Sequence, residues 1–119
     1  MKKLKIRLKR VYLPSETDDG TRILVERLWP RGVSKADAAI DLWLKEIAPS
    51  HSLRRWYGHD ISKWPMFVER YQAELNTNQE CVGGLRRAIA SAAVTFVYAA
   101  SDETHNSAVA LRNYLLGGH

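Results

Sequence analysis

The chain reads Val94-Thr95-Phe96-Val97-Tyr98-Ala99-Ala100 near its carboxyl end, and this stretch decides the fold. A short apolar run without polar alternation predicts a strand that is buried on both faces and lies in the centre of a parallel sheet. Helical patterns precede and follow it, and alternating helices and strands are typical of α/β proteins. We predict one domain over residues 1–119: a small three-layer α/β domain with a short, mainly parallel or mixed sheet of three to four strands flanked by helices.

The other elements are predicted from periodicity, caps and turn residues. Alternating residues indicate strands over residues 3–12 and 21–28, and the short link between them favours an antiparallel edge pair. Helices are expected after Ser34, from Ser50 through Trp56, from Asp60 or Ser62 to Asn76, over residues 80–91, and from the loop after the apolar run to Leu116. Residues 39–45 fit both a helix and an extended segment.

The basic residues are unevenly distributed. Six of the 18 lysines and arginines lie within the first ten positions, which contain no acidic residue, so the net charge of +5 reflects mainly this segment. Lys3, Lys5, Arg7 and Lys9 alternate with apolar residues, as in a solvated strand that protects a sheet edge from aggregation. The same pattern is compatible with a nucleic-acid partner, although no aromatic residues are interleaved with the charges.

The composition excludes several classes of protein. No apolar run approaches the ~20 residues of a membrane span, and residues 1–5 lack the apolar segment of a signal peptide, so we expect a cytoplasmic protein. Cys81 is the only cysteine, which excludes an internal disulfide, and we expect it to be a small buried hydrophobe. The four histidines lack metal-ligand spacing and no glycine-rich phosphate loop occurs, so we expect neither a metal nor a cofactor.

Candidate ligand-binding residues are concentrated in Ile23-Leu24-Val25-Glu26-Arg27-Leu28-Trp29-Pro30-Arg31-Gly32. An apolar strand delivers Arg27 and Arg31 to a turn, and guanidinium groups present planar forks of donors that suit phosphate and carboxylate. Both arginines are therefore candidates for binding an anion. Arg27 has the structural alternative of pairing with Asp102. Trp29 is a candidate for stacking on a ligand, or else a core aromatic.

Polar residues also follow the central strand. Ligands of open α/β sheets bind beyond the carboxyl ends of the strands, so Asp102, His105 and Asn106 are expected to share one cleft with the arginines if the two strands are parallel neighbours. Asp102 and His105 are candidate catalytic acid/base residues, with a helix cap and a surface histidine as the respective alternatives. Asn106 is a candidate for orienting a ligand or for capping the turn.

The middle of the chain contributes two further candidates. Arg54 and Arg55 are adjacent on a predicted helix, so we expect only one of them to face inward, and we take Arg54 as the ligand-binding one. His59 precedes Asp60 in what resembles a charge-paired or capping unit. We include His59 among the ligand-binding candidates.

Several blocks of this sequence together resemble a known family: Arg27-Leu28-Trp29-Pro30-Arg31-Gly32 with Ser34-Lys35, Trp43-Leu44-Lys45 with Ala48-Pro49-Ser50, Leu53-Arg54-Arg55-Trp56-Tyr57-Gly58-His59-Asp60, and the central strand with His105-Asn106. They are similar to the YeaO-like branch of the domain-of-unknown-function family 488. The resemblance extends over almost the whole chain and implies a single α/β domain, but no particular reaction.

The chain departs from that family pattern at two places. Members commonly read Val-Asp-Arg where this chain has Val25-Glu26-Arg27, so the carboxylate is kept but lengthened by a methylene. Longer relatives often have Cys-His-Arg near the final loop, where this chain has Thr104-His105-Asn106, so the resemblance implies no thiol chemistry.

These residues predict a small enzyme or ligand-binding domain that recognises an anionic, phosphate- or carboxylate-bearing small molecule through strand-end arginines. The chain is expected to be a monomer or homodimer, and whether it is an enzyme stays open. A nucleic-acid-associated module that uses the basic first strand is one alternative. A non-catalytic interaction domain is the other.

Overall fold

Four parallel strands form one sheet in the computed structural model, which describes residues 6–117. They are β1 (Ile6–Arg10), β2 (Thr21–Leu24), β3 (Leu42–Trp43) and β4 (Val94–Tyr98), in the spatial order β1-β4-β2-β3. Strand β4 pairs with β1 on one side and β2 on the other, and all of its residues are buried. The α/β fold class and the central position of the apolar run are confirmed.

The predicted antiparallel edge pair is wrong, because β1 and β2 are not neighbours. Leu8 of β1 and Ile23 of β2 lie on opposite sides of Phe96, and both strands run parallel to β4. Residues 11–20 connect them, and an extended segment of that length reaches about 33 Å, enough to run back past one strand. The Thr95 hydroxyl donates to the Asp19 carbonyl at 2.7 Å and ties this crossover to β4.

Residues 6–117 also contain five α-helices: α1 (Lys35–Ala38), α2 (His51–Tyr57), α3 (Trp64–Asn76), α4 (Gln79–Ser91) and α5 (Ser107–Leu115). Side chains of Ser34 and Ser50 accept hydrogen bonds from backbone N–H groups in the first turns of α1 and α2, which confirms both predicted caps. Asp60 caps a 3-10 turn that leads into α3. The undecided segment 39–45 contains β3, so the extended alternative is the one observed.

The two faces of the sheet are covered by different layers. Helices α2–α5 bury one face in the main core, where Ile23 and Phe96 are fully buried and the half-buried Cys81 packs at the margin. The opposite face is covered by α1 and loops, which form a thinner layer over Leu24 and Val97. Loops follow the carboxyl ends of the strands, and these loops contribute to the site.

An ionic cluster of Asp19, Lys9 and Arg22 lies on the loop-covered face. The Asp19 carboxylate is fully buried and lies 2.9 Å from Lys9 Nζ and 2.6 Å from Arg22 Nη1. Burial opposes its ionisation, but hydrogen bonds from Lys9, the Glu16 backbone and Arg22 outweigh that effect and lower the pKa of Asp19 to about 2. Lys9 is thus an internal ion-pair partner rather than the solvated edge residue that the alternation predicts; residues 3–5 lie outside the described residues.

Candidate functional site

A cavity of about 890 Å³ opens at the carboxyl edge of the sheet, and we call it the edge cavity. Its lining includes Arg10, the last residue of β1, and Glu26, which follows β2. Residues 99–102 after β4, the start of α5 and the end of α2 complete it. Parallel sheets bind ligands at this edge, and β2 and β4 are parallel neighbours, as the cleft predicted from the sequence requires.

Half of the residues predicted for the site line the edge cavity: Arg54, His59, Asp102 and Asn106. The other half do not line it: Arg27, Trp29, Arg31 and His105. Of the strand-end residues expected to share one cleft, only Asp102 and Asn106, which follow β4, line the cavity. The arginines that follow β2 do not share this cleft with them.

Arg27 is turned away from the edge cavity. Its Nε donates to the carbonyl of Pro49 at 3.1 Å and its Nη2 to the carbonyl of Ala48 at 2.9 Å. It lines a separate cavity of about 140 Å³. The guanidinium therefore fixes the segment before α2, and the predicted partner Asp102 lies elsewhere.

Trp29 and Arg31 also lie away from the cavity. The Trp29 indole donates to the Val33 carbonyl at 2.8 Å and meets Trp43 edge to face, with ring centroids 5.4 Å apart, so the core alternative is the one observed. Arg31 is exposed, and its backbone carbonyl accepts a hydrogen bond from the Tyr12 hydroxyl at 3.0 Å. The sequence predicts both side chains as ligand-binding candidates, but neither of them lines the edge cavity.

Asp102 and His105 contact each other at the rim. Asp102 Oδ1 accepts hydrogen bonds from the backbone N–H of Thr104 at 2.9 Å and of His105 at 3.0 Å, and Oδ2 lies 3.1 Å from His105 Nδ1. The Thr104 backbone bond is the main reason that the pKa of Asp102 falls to about 2. A carboxylate with so low a pKa is a weak general base at neutral pH. The His105 ring is held edge-on against Trp64, with centroids 5.4 Å apart.

Asn106 is buried and serves as the cap of α5. Its Oδ1 accepts from the Val109 backbone N–H at 3.0 Å and its Nδ2 donates to the Asp102 carbonyl at 2.8 Å. The capping alternative therefore applies to Asn106, and Asp102 closes the turn before it. Because Ser107 lines the edge cavity, the amino-terminal end of α5 faces the same space.

Three arginines line the edge cavity, Arg10, Arg54 and Arg55, and we call them together the cationic wall. Arg54 and Arg55 lie in the last turn of α2, and their side chains form no hydrogen bond or ion pair with any residue in 6–117. Both line the cavity, so the expectation that only one faces inward is wrong. Adjacent helix positions are about 100° apart, and two long side chains can bridge that angle to reach one cavity. Arg10 is partly engaged, since its Nε donates to the Ala100 carbonyl at 2.9 Å.

Glu26 and His59 bring titratable groups to the same space. Glu26 Oε2 accepts from the Ala99 backbone N–H at 2.9 Å. Burial raises the pKa of Glu26, while the Ala99 hydrogen bond and the positive potentials of Arg54 and His59 counteract the rise. His59 follows Gly58 with a backbone φ of +59°, a left-handed conformation that is uncommon outside glycine, and its ring centroid lies 6.1 Å from that of Tyr57.

The prediction missed Glu26, Arg10 and Arg55. The alternation after β2 places Glu26 and Arg27 on opposite sides of the chain but does not show which of them faces the cavity. Within residues 6–117, no three His, Cys, Asp or Glu side chains are grouped as metal ligands would be. Over the same range, every helix is too short or too polar to cross a membrane.

Fold and site define a small parallel α/β domain with a charged cavity at the carboxyl edge of its sheet. Residues 5–118 match the family described as "Inactive DUF488-N3 subclade", and the chain belongs to this family. The resemblance predicted from the sequence blocks is thereby confirmed.

Two relatives match this chain over nearly their whole lengths. "Uncharacterized protein YeaO" of Escherichia coli (strain K12) is 41% identical over 112 residues, which cover 94% of this chain and 97% of that protein. "Uncharacterized protein Rv3073c" of Mycobacterium tuberculosis (strain ATCC 25618 / H37Rv) is 36% identical over 117 residues, or 98% of each chain. No solved structure matches this chain.

Proposed function

We propose that this protein binds an anionic, phosphate- or carboxylate-bearing small molecule in the edge cavity, and that Arg54 and Arg55 hold the anionic group. The observation that carries the proposal is the lack of internal partners for these two guanidinium groups within residues 6–117, although both line a cavity. Three cations outside the cavity are instead used internally: Arg22 and Lys9 by Asp19, and Arg27 by backbone carbonyls. Two free guanidinium forks in one cavity suit an anion.

The charge balance of the cavity also supports an anionic ligand. Three arginines line it against two carboxylates, those of Glu26 and Asp102. Helix α5 begins at the cavity, and the positive end of its dipole adds to the attraction for a negative group. The size of the cavity lies within the roughly 300–1,000 Å³ typical of small-molecule sites.

Binding is a better supported role than catalysis. The family that matches this chain is described as inactive. Of the two predicted acid/base residues, Asp102 is a weak base because its carboxylate accepts two backbone hydrogen bonds, and its partner His105 does not line the cavity. We therefore propose a ligand-binding domain without a reaction of its own.

The proposal is tested by isothermal titration calorimetry with pyrophosphate and citrate as probes. We expect binding by the parent protein and at least a tenfold loss of affinity in the double variant Arg54→Ala/Arg55→Ala, because charge-assisted hydrogen bonds contribute roughly 1.5–3 kcal/mol each. Arg31→Ala is the matched control, since it removes an exposed arginine that does not line the cavity. Equal affinities for all three proteins, or no binding by the parent, would overturn the proposal.

The nucleic-acid alternative stays a prediction, as do the cytoplasmic location and the monomeric or homodimeric state. In the described part of the basic strand, Lys9 pairs with Asp19 and Glu16, and Arg7 Nη1 donates to the Asp18 carbonyl at 2.8 Å. These interactions reduce the charge that the strand can offer to a polyanion, and no other observation favours this alternative.

A further inference from the structure

We infer that the ligand of the edge cavity carries an amino or ammonium group as well as its anionic group, and that Glu26 binds this second group. The inference rests on the proposed function and adds the chemical class of the ligand: an amino-bearing phosphate or carboxylate. It follows from the position of a carboxylate in a cavity whose cationic wall favours anions.

Glu26 has an oxygen available for a ligand. The Ala99 backbone N–H holds its Oε2 at 2.9 Å, whereas Oε1 has no hydrogen-bond partner among residues 6–117. A carboxylate offers about four acceptor sites, so most of the accepting capacity of Glu26 is unused. The Ala99 contact fixes one oxygen and thereby orients the group.

The second carboxylate of the cavity differs in this respect. Both oxygens of Asp102 are engaged, one by the backbone of Thr104 and His105 and the other by the His105 ring. The accepting oxygens of Asp102 are thus used within its own turn. Glu26 is the carboxylate that can accept a hydrogen bond from a ligand. Glu26 is therefore the acidic residue that we assign to the amino group of the ligand.

A carboxylate held in a fixed orientation lowers the affinity for ligands that lack an amino group. A plain anion that enters the cavity loses affinity to repulsion from Glu26, whereas a ligand with an N–H donor at that point gains a charge-assisted hydrogen bond. Arg54 and Arg55 then bind the negative end of the ligand and Glu26 its amino end. The cavity of about 890 Å³ has room for both ends of such a molecule.

The shared chemistry has two natural sources, an amino acid derivative and an aminated nucleotide, and matched probe pairs distinguish them. O-phosphoserine is compared with 3-phosphooxypropionate, which lacks the amino group. Adenosine 5′-monophosphate is compared with purine riboside 5′-monophosphate, which lacks the exocyclic amino group. Calorimetry of the full chain should show at least a tenfold preference for the amino-bearing member of one pair, and that pair identifies the source.

The variant Glu26→Gln tests the assigned residue. Its amide oxygen can still accept from the Ala99 N–H, which turns the amide N–H₂ towards the ligand and sets donor against donor. We expect the preference for the amino-bearing probe to fall below about threefold, while affinity for the amine-free probe is unchanged or higher. Glu26→Asp keeps the negative charge and should retain part of the preference, which separates a loss of recognition from a loss of folding.

The outcomes for the two proposals are distinct. Equal binding of both members of each pair, with affinity still dependent on Arg54 and Arg55, overturns the role of Glu26 and leaves the proposed anion site intact. A preference that survives Glu26→Gln also overturns the role of Glu26. If none of the four probes binds while pyrophosphate or citrate still does, the role of Glu26 alone is overturned; if pyrophosphate and citrate also fail to bind, both proposals are overturned.

Discussion

Arg22 and Arg54 are the same residue type in opposite environments. Arg22 is almost completely buried, and its guanidinium donates to the Asp19 carboxylate at 2.6 Å and to the Ala38 carbonyl at 2.7 Å. Arg54 is exposed at the edge cavity and has no such partner within residues 6–117. The ionic cluster around Asp19 therefore closes the crossover between β1 and β2, whereas the arginines of α2 stay available to a ligand.

The comparison separates what charge does for folding from what it does for binding. A buried ion pair depends on both partners, because removing one leaves an uncompensated charge in the interior. A solvated arginine has little desolvation penalty and contributes little to the free energy of unfolding. Substitutions in the ionic cluster should therefore change the free energy of unfolding, and substitutions in the cationic wall should change mainly ligand affinity.

The largest effect is expected for Asp19→Asn. The change leaves Arg22 without a counter-charge and weakens the pairing of Lys9, so the free energy of unfolding should fall by about 3–5 kcal/mol. Urea denaturation followed by circular dichroism measures it. Glu16→Gln is the control, because Glu16 is 67% exposed and its pair with Lys9 should contribute at most about 1 kcal/mol. Equal losses in the two variants would remove the distinction between buried and exposed pairs.

A pH dependence follows from the same carboxylate. The pKa of Asp19 is about 2 in the folded protein against an ordinary value of 3.8, so the unfolded chain takes up the proton first as the pH falls. The stabilisation is complete above about pH 5, is lost towards pH 2, and is on the order of 2 kcal/mol. Denaturation between pH 6 and pH 3 should show a shallower loss in Asp19→Asn than in the parent. Parallel curves would contradict the assignment to Asp19.

Arg27→Ala should have an intermediate effect. It removes both donors to the carbonyls of Ala48 and Pro49 and should lower the free energy of unfolding by about 1–3 kcal/mol. Arg31→Ala, at an exposed position on the same connection, should change it by less than about 0.5 kcal/mol. If the two variants unfold at the same urea concentration, Arg27 is not the structural residue that its contacts indicate.

Local signals explain what the sequence predicts correctly. The apolar run of β4 and the caps at Ser34 and Ser50 depend on residues close in the chain, and all three are found in the structure. The choice of strand partners is not local, since β1 pairs with β4 across more than 80 residues of chain. The predicted pair of β1 and β2 fails for that reason, because a short link alone does not reveal that β4 lies between them.

The same limit applies to the site. His59 and Asp102 could be predicted as site residues because each follows a helix or strand end that faces the carboxyl edge. The sequence could not show that Glu26 rather than Arg27 lines the cavity, because the alternation does not reveal which side of the chain faces it. That choice is made by the carbonyls of Ala48 and Pro49, which lie more than 20 residues further along the chain.

The smallest effect on stability is expected for the double variant Arg54→Ala/Arg55→Ala. Two guanidinium groups on adjacent residues, in a cavity that Arg10 also lines, repel each other, so their removal should leave the free energy of unfolding unchanged or raise it by up to about 0.5 kcal/mol at low ionic strength. At 1 M salt the screening length is about 3 Å, and the difference from the parent should vanish. Urea denaturation at the two salt concentrations measures both quantities. Solvated charges without internal partners do not stabilise the folded state. A loss of more than about 1 kcal/mol at both salt concentrations would therefore mean that these arginines support the fold as Arg22 does.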